Sequence, residues 1–168
     1  RVSFSPPCGH LSSMDTISPA PPPSAGCLEE GGVRQRITDF LASQSGGGLV
    51  SVYLFGSVAR GAAHPESDVD VGVVLDRTRF PRRADRSEER VRLLSGLIGA
   101  LERNDVDLVV LNDVPPRFGR AVVVEGEELL CLDPEQDHRF RRDVQLLAAD
   151  LDVYMRRMEP LKLEALRR

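Results

Sequence analysis

The chain has 168 residues, of which 41% are hydrophobic and 29% are charged, a balance typical of one globular domain with room for a tail. Its 22 lysines and arginines are outnumbered by 26 aspartates and glutamates, which gives a formal net charge of −4. A domain that binds duplex nucleic acid needs a broad basic surface, so nucleic acid is not an expected partner.

The N-terminal segment, residues 1–32, is predicted to be disordered. It is rich in Pro, Ser and Gly and has few large apolar residues, so burial cannot offset the entropy that ordering would cost. The first methionine is Met14, and residues 1–13 are interpreted as sequence from cloning or upstream translation, with a docking tail as the alternative. The segment also lacks the apolar core of a signal peptide.

The cysteines and the apolar runs predict the cellular location. Cys8, Cys27 and Cys131 are far apart and have neither zinc-binding nor disulfide spacing, so they are expected to be free thiols. No apolar run approaches the roughly 18 residues of a membrane-spanning segment. A cytoplasmic protein without a membrane partner is therefore expected.

Residues 33–160 are predicted to form an α/β (α+β) domain, with helices packed on a small mixed sheet of three to four strands. Apolar residues at helical spacing begin at Val33 and predict a first helix, which the glycines at 46–48 end. Residues 49–55 are a β-rich apolar run, which is typical of a buried strand. Residues 69–75 begin with alternating valine and polar positions, the period-2 pattern of a second strand.

The next predicted elements are a charged linker over residues 76–86 and a helix near residues 87–103, with Ser87 as its N-cap. The apolar face of this helix is predicted to contain Val91, Leu94, Leu97, Ile98 and Leu101. The remaining predicted elements are a third strand, a short helix, a fourth strand and a last helix, over residues 106–111, 115–124, 128–132 and 136–158. Pro160 is expected to end the last helix, which leaves residues 161–168 as a tail.

Two aspartates stand two residues apart at the start of the second predicted strand. Side chains at alternate positions of a strand point to the same face, so the carboxylates of Asp68 and Asp70 lie close together. Two like charges that close repel each other, and a divalent cation removes the conflict. Mg²⁺ in particular binds carboxylate and phosphate oxygens together, so the pair predicts a magnesium site.

A third aspartate occupies the same kind of place in the third predicted strand. Asp107 is the one charged residue in an otherwise apolar run. A charge in a buried strand lowers stability unless it is paired, so this residue is not explained by folding alone. If this strand neighbours the second, the three carboxylates meet at one edge of the sheet. That arrangement suits two metal ions that hold the attacking and leaving oxygens of an in-line displacement at phosphorus.

The turn after the first predicted strand carries groups that bind phosphate. Gly56 allows the backbone to approach closely, and backbone N–H groups with the Ser57 hydroxyl can hold phosphate oxygens at a helix start. Arg60 adds a fixed positive charge with several donors. His64, in the loop that follows, is interpreted as a solvated side chain, with a nucleotide contact as the alternative.

The combined pattern is more specific than its parts, because an isolated Asp-x-Asp pair is common on protein surfaces. The motif reads Gly-Ser-x-Ala-Arg-Gly-x5-Ser-Asp-x-Asp over residues 56–70, and a lone aspartate follows in a later strand. It resembles the DNA polymerase β nucleotidyltransferase superfamily. Within that superfamily it is similar to the minimal nucleotidyltransferases, the MNT antitoxins encoded beside HEPN toxins. The resemblance spans roughly residues 33–160 and implies a polymerase β-like fold.

The resemblance implies a role for each residue of the motif. The residues that bind two Mg²⁺ ions (or Mn²⁺) and carry the catalysis would be Asp68, Asp70 and Asp107. The residues that bind ATP or another nucleoside triphosphate would be Gly56, Ser57, Arg60 and Ser67. Asp107 would also help to deprotonate the acceptor hydroxyl. Antitoxins of this type transfer AMP from ATP to a tyrosine of the HEPN toxin and silence its ribonuclease activity, so a HEPN toxin is the expected partner.

Two other functions remain open from the sequence. One is a nucleotidyltransferase that modifies a small molecule such as an aminoglycoside, although only about 60 residues follow Asp107 to hold such an acceptor. The other is a non-catalytic antitoxin that acts by occlusion. Three clustered carboxylates argue against it, because an antitoxin that acts only by occlusion has no use for a metal-binding cluster.

Removal of residues 1–32 should leave the folded domain intact, because this segment contributes almost no periodic apolar residues. We expect the truncated protein to keep the melting temperature and the nucleotidyl transfer of the full chain. Thermal denaturation and pyrophosphate release measure the two quantities. A large loss in either would show that the segment packs on the domain or docks a partner.

Overall fold

The computed structural model describes residues 30–61 and 67–165, with side chains over residues 32–61 and 67–158. The predictions for residues 1–29 and for His64 lie outside this part of the chain. Residues 30–32 were predicted to be disordered, but they form the start of α1, so that part of the prediction is wrong. The elements, in order, are α1 (Glu30–Ser43), β1 (Leu49–Phe55), α2 (Gly56–Ala59), β2 (Val69–Leu75), α3 (Arg83–Leu101), β3 (Val106–Val110), a 3₁₀ turn (Leu111–Asp113), α4 (Pro116–Glu125), β4 (Glu127–Cys131) and α5 (Pro134–Ala165). Because α1 begins at Glu30, removal of residues 1–29 would leave the whole helix in place.

The strands form one mixed sheet in the order β3-β2-β1-β4. β1 pairs antiparallel with both β2 and β4, whereas β2 pairs parallel with β3. Nearly every residue of β1 and β2 is buried, because helices cover both faces of these central strands. The predicted mixed sheet of the α/β domain is confirmed, and each strand begins and ends within one residue of its predicted bounds.

Two apolar layers hold the helices against the sheet. α1 and α3 pack on one face through side chains with no exposed surface: Ile37, Leu41, Leu93, Leu97 and Leu101. α4 and α5 cover the other face through Val122, Val123 and Val144, which pack with Tyr53 and Val74 of the sheet. Burial of one large aliphatic side chain contributes about 1.5–3 kcal/mol, so these layers dominate the stability of the domain.

α3 begins four residues earlier than predicted, so Ser87 is not its N-cap. The helix starts at Arg83 with Arg82 as the N-cap. The carboxylate of Asp85 accepts a 3.3 Å hydrogen bond from the backbone N–H of Arg82 and pairs with its guanidinium at 2.7 Å. This capping closes the first turn inside the segment that the sequence predicted as a charged linker.

Val91 is not part of the core, contrary to the prediction. Its side chain is 58% exposed, whereas Leu93 is fully buried. Leu93 lies about one helical turn before Leu97, so both side chains point to the sheet. Val91 lies six residues before Leu97, on a different side of the helix, and faces solvent.

α5 continues past Pro160 to Ala165, so the predicted end of the last helix is wrong. Proline fixes φ at about −65°, which a helix accepts, so it removes one backbone hydrogen bond without obliging the chain to leave the helix. None of the helices in the described part of the chain, α5 included, is both long and apolar enough to cross a membrane.

A buried polar network joins α5 to the middle of β1. Asp137 is only 4% exposed, and its Oδ1 accepts hydrogen bonds from Ser51 Oγ at 2.6 Å and from Tyr53 Oη at 2.5 Å. Arg141 Nε lies 2.8 Å from both Asp137 Oδ2 and the Tyr53 hydroxyl. Burial, together with the bond to Asp137, raises the pKa of Tyr53, so its hydroxyl stays protonated as the donor. Because the buried carboxylate is paired and hydrogen-bonded, the network fixes how α5 docks on the sheet.

Leu97→Ala should lower the free energy of unfolding by about 2–5 kcal/mol, because it leaves a cavity between α3 and the sheet. Val91→Ala, on the same helix but at an exposed position, should change it by about 0.5 kcal/mol or less. Urea denaturation followed by circular dichroism measures both values. Equal losses in the two variants would contradict the placement of Val91 on the surface.

Candidate active site

The ends of three strands meet at one edge of the sheet. Antiparallel pairing sets Phe55, the last residue of β1, opposite Asp70 near the start of β2. Parallel pairing sets Asp70 opposite Asp107, the second residue of β3. Gly56 directly follows β1, and Asp68 directly precedes β2. The structure therefore brings the Gly-Ser turn (Gly56 and Ser57) and the three predicted carboxylates to the same edge.

Gly56 and Asp70 are in direct contact at this edge. The backbone of Gly56 has a φ of +75°, and a Cβ at this position would lie 2.0 Å from Asp70 Oδ2. Both the left-handed backbone and the lack of space exclude a side chain, so the Asp70 carboxylate lies against the backbone of the turn. The turn predicted to hold phosphate and one of the predicted metal ligands are thus packed as one unit.

The three carboxylates share one electrostatic environment. Asp70 is half-buried, whereas Asp68 and Asp107 are exposed. Burial raises the pKa of Asp70, and the negative charges of Asp107 and Asp68 raise it further, while the positive charge of Arg60 opposes them. Oxygen donors that repel one another are a donor set that suits a hard divalent cation, because the cation neutralises the repulsion.

The fit to a metal ion rests on this donor set and on the contact between Gly56 and Asp70. In the described ranges no three acidic, histidine or cysteine side chains already surround one metal position. The missing side chain at Gly56 nevertheless leaves the Asp70 carboxylate beside the turn that is predicted to bind phosphate. Asp68, Asp70 and Asp107 are the residues that would hold a divalent cation there.

A small hollow of about 140 Å³ lies beside the Gly-Ser turn, between α2 and α4. Gly56 and Arg60 line one side of it, and Phe118 of α4 lines the other. The rings of Phe55 and Phe118 meet edge to face, with 5.6 Å between their centroids. Ser57 is half-buried and Arg60 is exposed, so solvent reaches both polar groups. A larger hollow of about 470 Å³ lies at the opposite end of the sheet and contains none of the predicted site residues.

The sequence did not predict two residues that hold the start of β2. Arg103 Nη2 donates a 2.9 Å hydrogen bond to the carbonyl oxygen of Ser67, and its Nε donates to Asp105 Oδ1 at 2.7 Å. The backbone carbonyl of Asp105 accepts a 2.9 Å hydrogen bond from the N–H of Val69. These bonds fix Ser67 through its backbone, while its contact with nucleotide stays a prediction. No local pattern could link Arg103 to a residue 36 positions earlier.

Arg90 of α3 is a third residue that the sequence did not predict. Its Nη2 lies 3.3 Å from Asp107 Oδ1, and its Nε donates to the carbonyl of Leu108. β3 is an edge strand, and Arg90 satisfies one of its carbonyls from the side of the helix. Arg90 and Asp107 are 40% and 56% exposed, so their ion pair is worth about 1 kcal/mol or less.

The fold and the motif have counterparts among known proteins. Residues 35–135, more than half of the chain, match the family model described as polymerase beta, nucleotidyltransferase. The chain belongs to this family. The predicted polymerase β-like fold and the predicted enzyme class are thereby confirmed. No curated protein has a matching sequence.

Several solved structures that are similar to this chain come from toxin–antitoxin complexes. A chain of a toxin–antitoxin complex with AMP-PNP is 25% identical, with a TM-score of 0.58 over 77% of this chain and 98% of that one. A chain of the Shewanella oneidensis complex of tri-AMPylated HEPN toxin with MNT antitoxin is 22% identical, with a TM-score of 0.56 over 80% and 99%. A chain of an MntA–HepT complex is 23% identical, with a TM-score of 0.54 over 78% and 97%. Each similarity covers nearly the whole of the solved chain.

Gly56→Ala should displace Asp70 and abolish nucleotidyl transfer, because the new Cβ would lie 2.0 Å from the Asp70 carboxylate. Gly61→Ala is the matched control, since its φ of +65° strains a side chain in the same way, but no atom of the described residues lies within 4 Å of the new Cβ. Pyrophosphate release from ATP measures transfer, and thermal denaturation measures folding. If both variants lost the same activity, backbone strain rather than contact with Asp70 would be the cause.

Proposed function

We propose that the chain is a metal-dependent nucleotidyltransferase that transfers AMP from ATP to a tyrosine hydroxyl of a HEPN toxin and thereby inactivates it. The observation that carries the proposal is the packing of Gly56 on Asp70, at an edge that also holds Asp68 and Asp107. One structurally similar complex contains AMP-PNP, and another contains a tri-AMPylated HEPN toxin with an MNT antitoxin. Residues 33–160 form the catalytic domain in this proposal.

The Gly-Ser turn supports the binding of a triphosphate. Ser57 directly follows Gly56, and its half-buried hydroxyl and the backbone N–H groups of the turn can donate to phosphate oxygens. Arg60 follows at the end of α2 and is exposed, so its guanidinium can bind phosphate oxygens with paired donors. Ser67, directly before Asp68, is the fourth residue of the proposed nucleotide site.

The proposed reaction is an in-line displacement at the α-phosphorus. The phenol oxygen forms the new bond to phosphorus while the bond to the bridging oxygen breaks, and pyrophosphate leaves. A phenol has an ordinary pKa of about 10, so the Asp107 carboxylate accepts its proton as the new bond forms. Asp68, Asp70 and Asp107 would hold two Mg²⁺ ions (or Mn²⁺), which would supply neutralising charge at the phosphate oxygens.

The acceptor is proposed to arrive on a partner protein. The hollow beside the Gly-Ser turn has about 140 Å³, less than the roughly 300–1,000 Å³ of pockets that enclose a small molecule, and none of the three carboxylates lines it, so it does not provide a small-molecule acceptor pocket at the carboxylates. α5 also exposes about half or more of four large apolar side chains, Leu146, Leu147, Val153 and Tyr154. Exposed apolar side chains that cluster on one element are typical of protein interaction surfaces. Both features favour a docked protein over a small-molecule acceptor.

Incubation with ATP, Mg²⁺ and the HEPN partner should add AMP to a partner tyrosine, which mass spectrometry of the partner detects. Asp70→Asn should abolish this addition, because it removes the carboxylate that Gly56 accommodates. The fold should survive, since the substitution also relieves the repulsion from Asp68 and Asp107. Asp39→Asn, at an exposed position of α1, is the matched control and should transfer AMP like the wild type.

The same assay separates the competing functions. EDTA should stop transfer, and Mn²⁺ should restore it. Undiminished transfer by Asp70→Asn would contradict the assignment of the site. An unmodified partner together with AMP transfer to an aminoglycoside would identify a small-molecule acceptor instead. Neutralisation of the toxin by Asp70→Asn without any transfer would show that the chain acts by occlusion.

A further inference from the structure

The backbone is hydrogen-bonded on both sides of Asp68 to a single turn. Before Asp68, the carbonyl oxygen of Ser67 accepts a 2.9 Å hydrogen bond from Arg103 Nη2. After it, the N–H of Val69 donates a 2.9 Å hydrogen bond to the backbone carbonyl of Asp105. Arg103 and Asp105 both belong to the turn between α3 and β3. This turn therefore holds the chain directly before and directly after a predicted metal ligand.

The two holding residues are joined to each other. Arg103 Nε donates a 2.7 Å hydrogen bond to Asp105 Oδ1, and Nη2 contacts the second carboxylate oxygen. Their side chains are 22% and 33% exposed, so the ion pair is partly shielded from solvent. Forked pairing of this kind leaves the guanidinium little freedom to rotate. The bond from Arg103 to Ser67 consequently has a fixed direction.

Arg103 acts on Asp68 without bonding to its carboxylate. In the described part of the chain its hydrogen bonds go to Ser67 and Asp105. The bonds to Asp105 raise the pKa of Arg103, and the negative charge of Asp68 adds to this shift. The guanidinium is thus close enough to Asp68 for electrostatic interaction, and none of its hydrogen bonds to the described residues goes to the Asp68 carboxylate.

We propose that Arg103 is a positioning residue, which fixes the backbone at Asp68 so that the Asp68 carboxylate stays at the metal position it shares with Asp70. This inference rests on the proposed function, because it concerns a ligand of the divalent cation. Ligating side chains depend on the groups that orient them, and loss of such a group typically lowers metal affinity about 10- to 100-fold.

The sign of the change in metal affinity when Arg103 is removed distinguishes a positioning role from a purely electrostatic one. A positive charge near Asp68 repels a cation, so removal of Arg103 would strengthen metal binding if only its charge mattered. If Arg103 holds the backbone, its removal weakens metal binding despite the lost repulsion. Lysine keeps the charge, but its compact ammonium cannot make the forked contact with Asp105 and reach Ser67 at the same time.

Isothermal titration of the full chain with MnCl₂ tests the proposal. Arg103→Ala should weaken Mn²⁺ binding about tenfold or more, and Arg103→Lys should weaken it too, although the charge is kept. Asp70→Asn identifies the heat that belongs to the site, because it removes a ligand. Arg92→Ala is the matched control, since Arg92 lies on α3, is 51% exposed and pairs with Glu89. It should bind Mn²⁺ like the wild type.

Three results would overturn the positioning role. Tighter or unchanged Mn²⁺ binding by Arg103→Ala, beside normal binding by the wild type, would overturn this inference alone. A lower melting temperature with unchanged Mn²⁺ affinity would do the same, since it would show a role in folding only. Absence of Mn²⁺ binding by the wild-type chain would overturn the proposed function and this inference with it.

Discussion

The arrangement of the site depends on the absence of a side chain at position 56. The Asp70 carboxylate occupies the space that a Cβ of Gly56 would need, with only 2.0 Å between the two positions. The chain can turn at this point because glycine adopts a φ of +75° without strain. Phe55 is paired with Asp70 across the sheet, so a one-residue slip of β1 against β2 would separate the turn from the carboxylate.

The register of β1 is specified by the polar network that joins this strand to α5. Ser51 and Tyr53 stand two residues apart on β1, and both donate to the same oxygen of Asp137 on α5. A one-residue shift of β1 would turn both hydroxyls away and leave a buried carboxylate without these donors, which is costly. The network takes no part in the proposed reaction. It nevertheless selects the one register in which Gly56 meets Asp70.

The sequence predicted those parts of the fold and of the site that depend on residues close together in the chain. Alternating valines and short apolar runs defined the strands, and Gly56, Asp70 and Asp107 converge because each stands at a strand end on the same edge of the sheet. The catalytic and binding roles of these residues remain predictions. The N-cap of α3 was missed because Arg82 and Asp85 do not follow the usual Ser or Thr pattern of capping.

Contacts between residues far apart in the chain could not be predicted in this way. Arg103 bonds to a residue 36 positions before it, and Arg90 to one 17 positions after it, and neither has a periodicity that marks it. Only the placement of α3 beside β3 brings these side chains to the site edge. Val91 shows the same limit, because spacing alone does not tell which of two apolar stripes a helix will bury.

Each of the three carboxylates has an arginine nearby, and the three arginines come from different elements. Arg90 of α3 pairs with Asp107 at 3.3 Å, and Arg103 of the turn before β3 interacts electrostatically with Asp68. The positive charge of Arg60, at the end of α2, opposes the rise in the pKa of Asp70.

These arginines let three acidic groups share one sheet edge, since Arg90 and Arg103 place positive charge near Asp107 and Asp68, and Arg60 opposes the repulsion that raises the pKa of Asp70. The exposed pair of Arg90 and Asp107 is worth about 1 kcal/mol or less, so it does not compete strongly with a divalent cation. An arginine buried against the same carboxylates would be much harder to displace. The exposure of Arg60 and the partial exposure of Arg90 therefore reconcile stable folding of the acidic edge with its proposed use as a metal site.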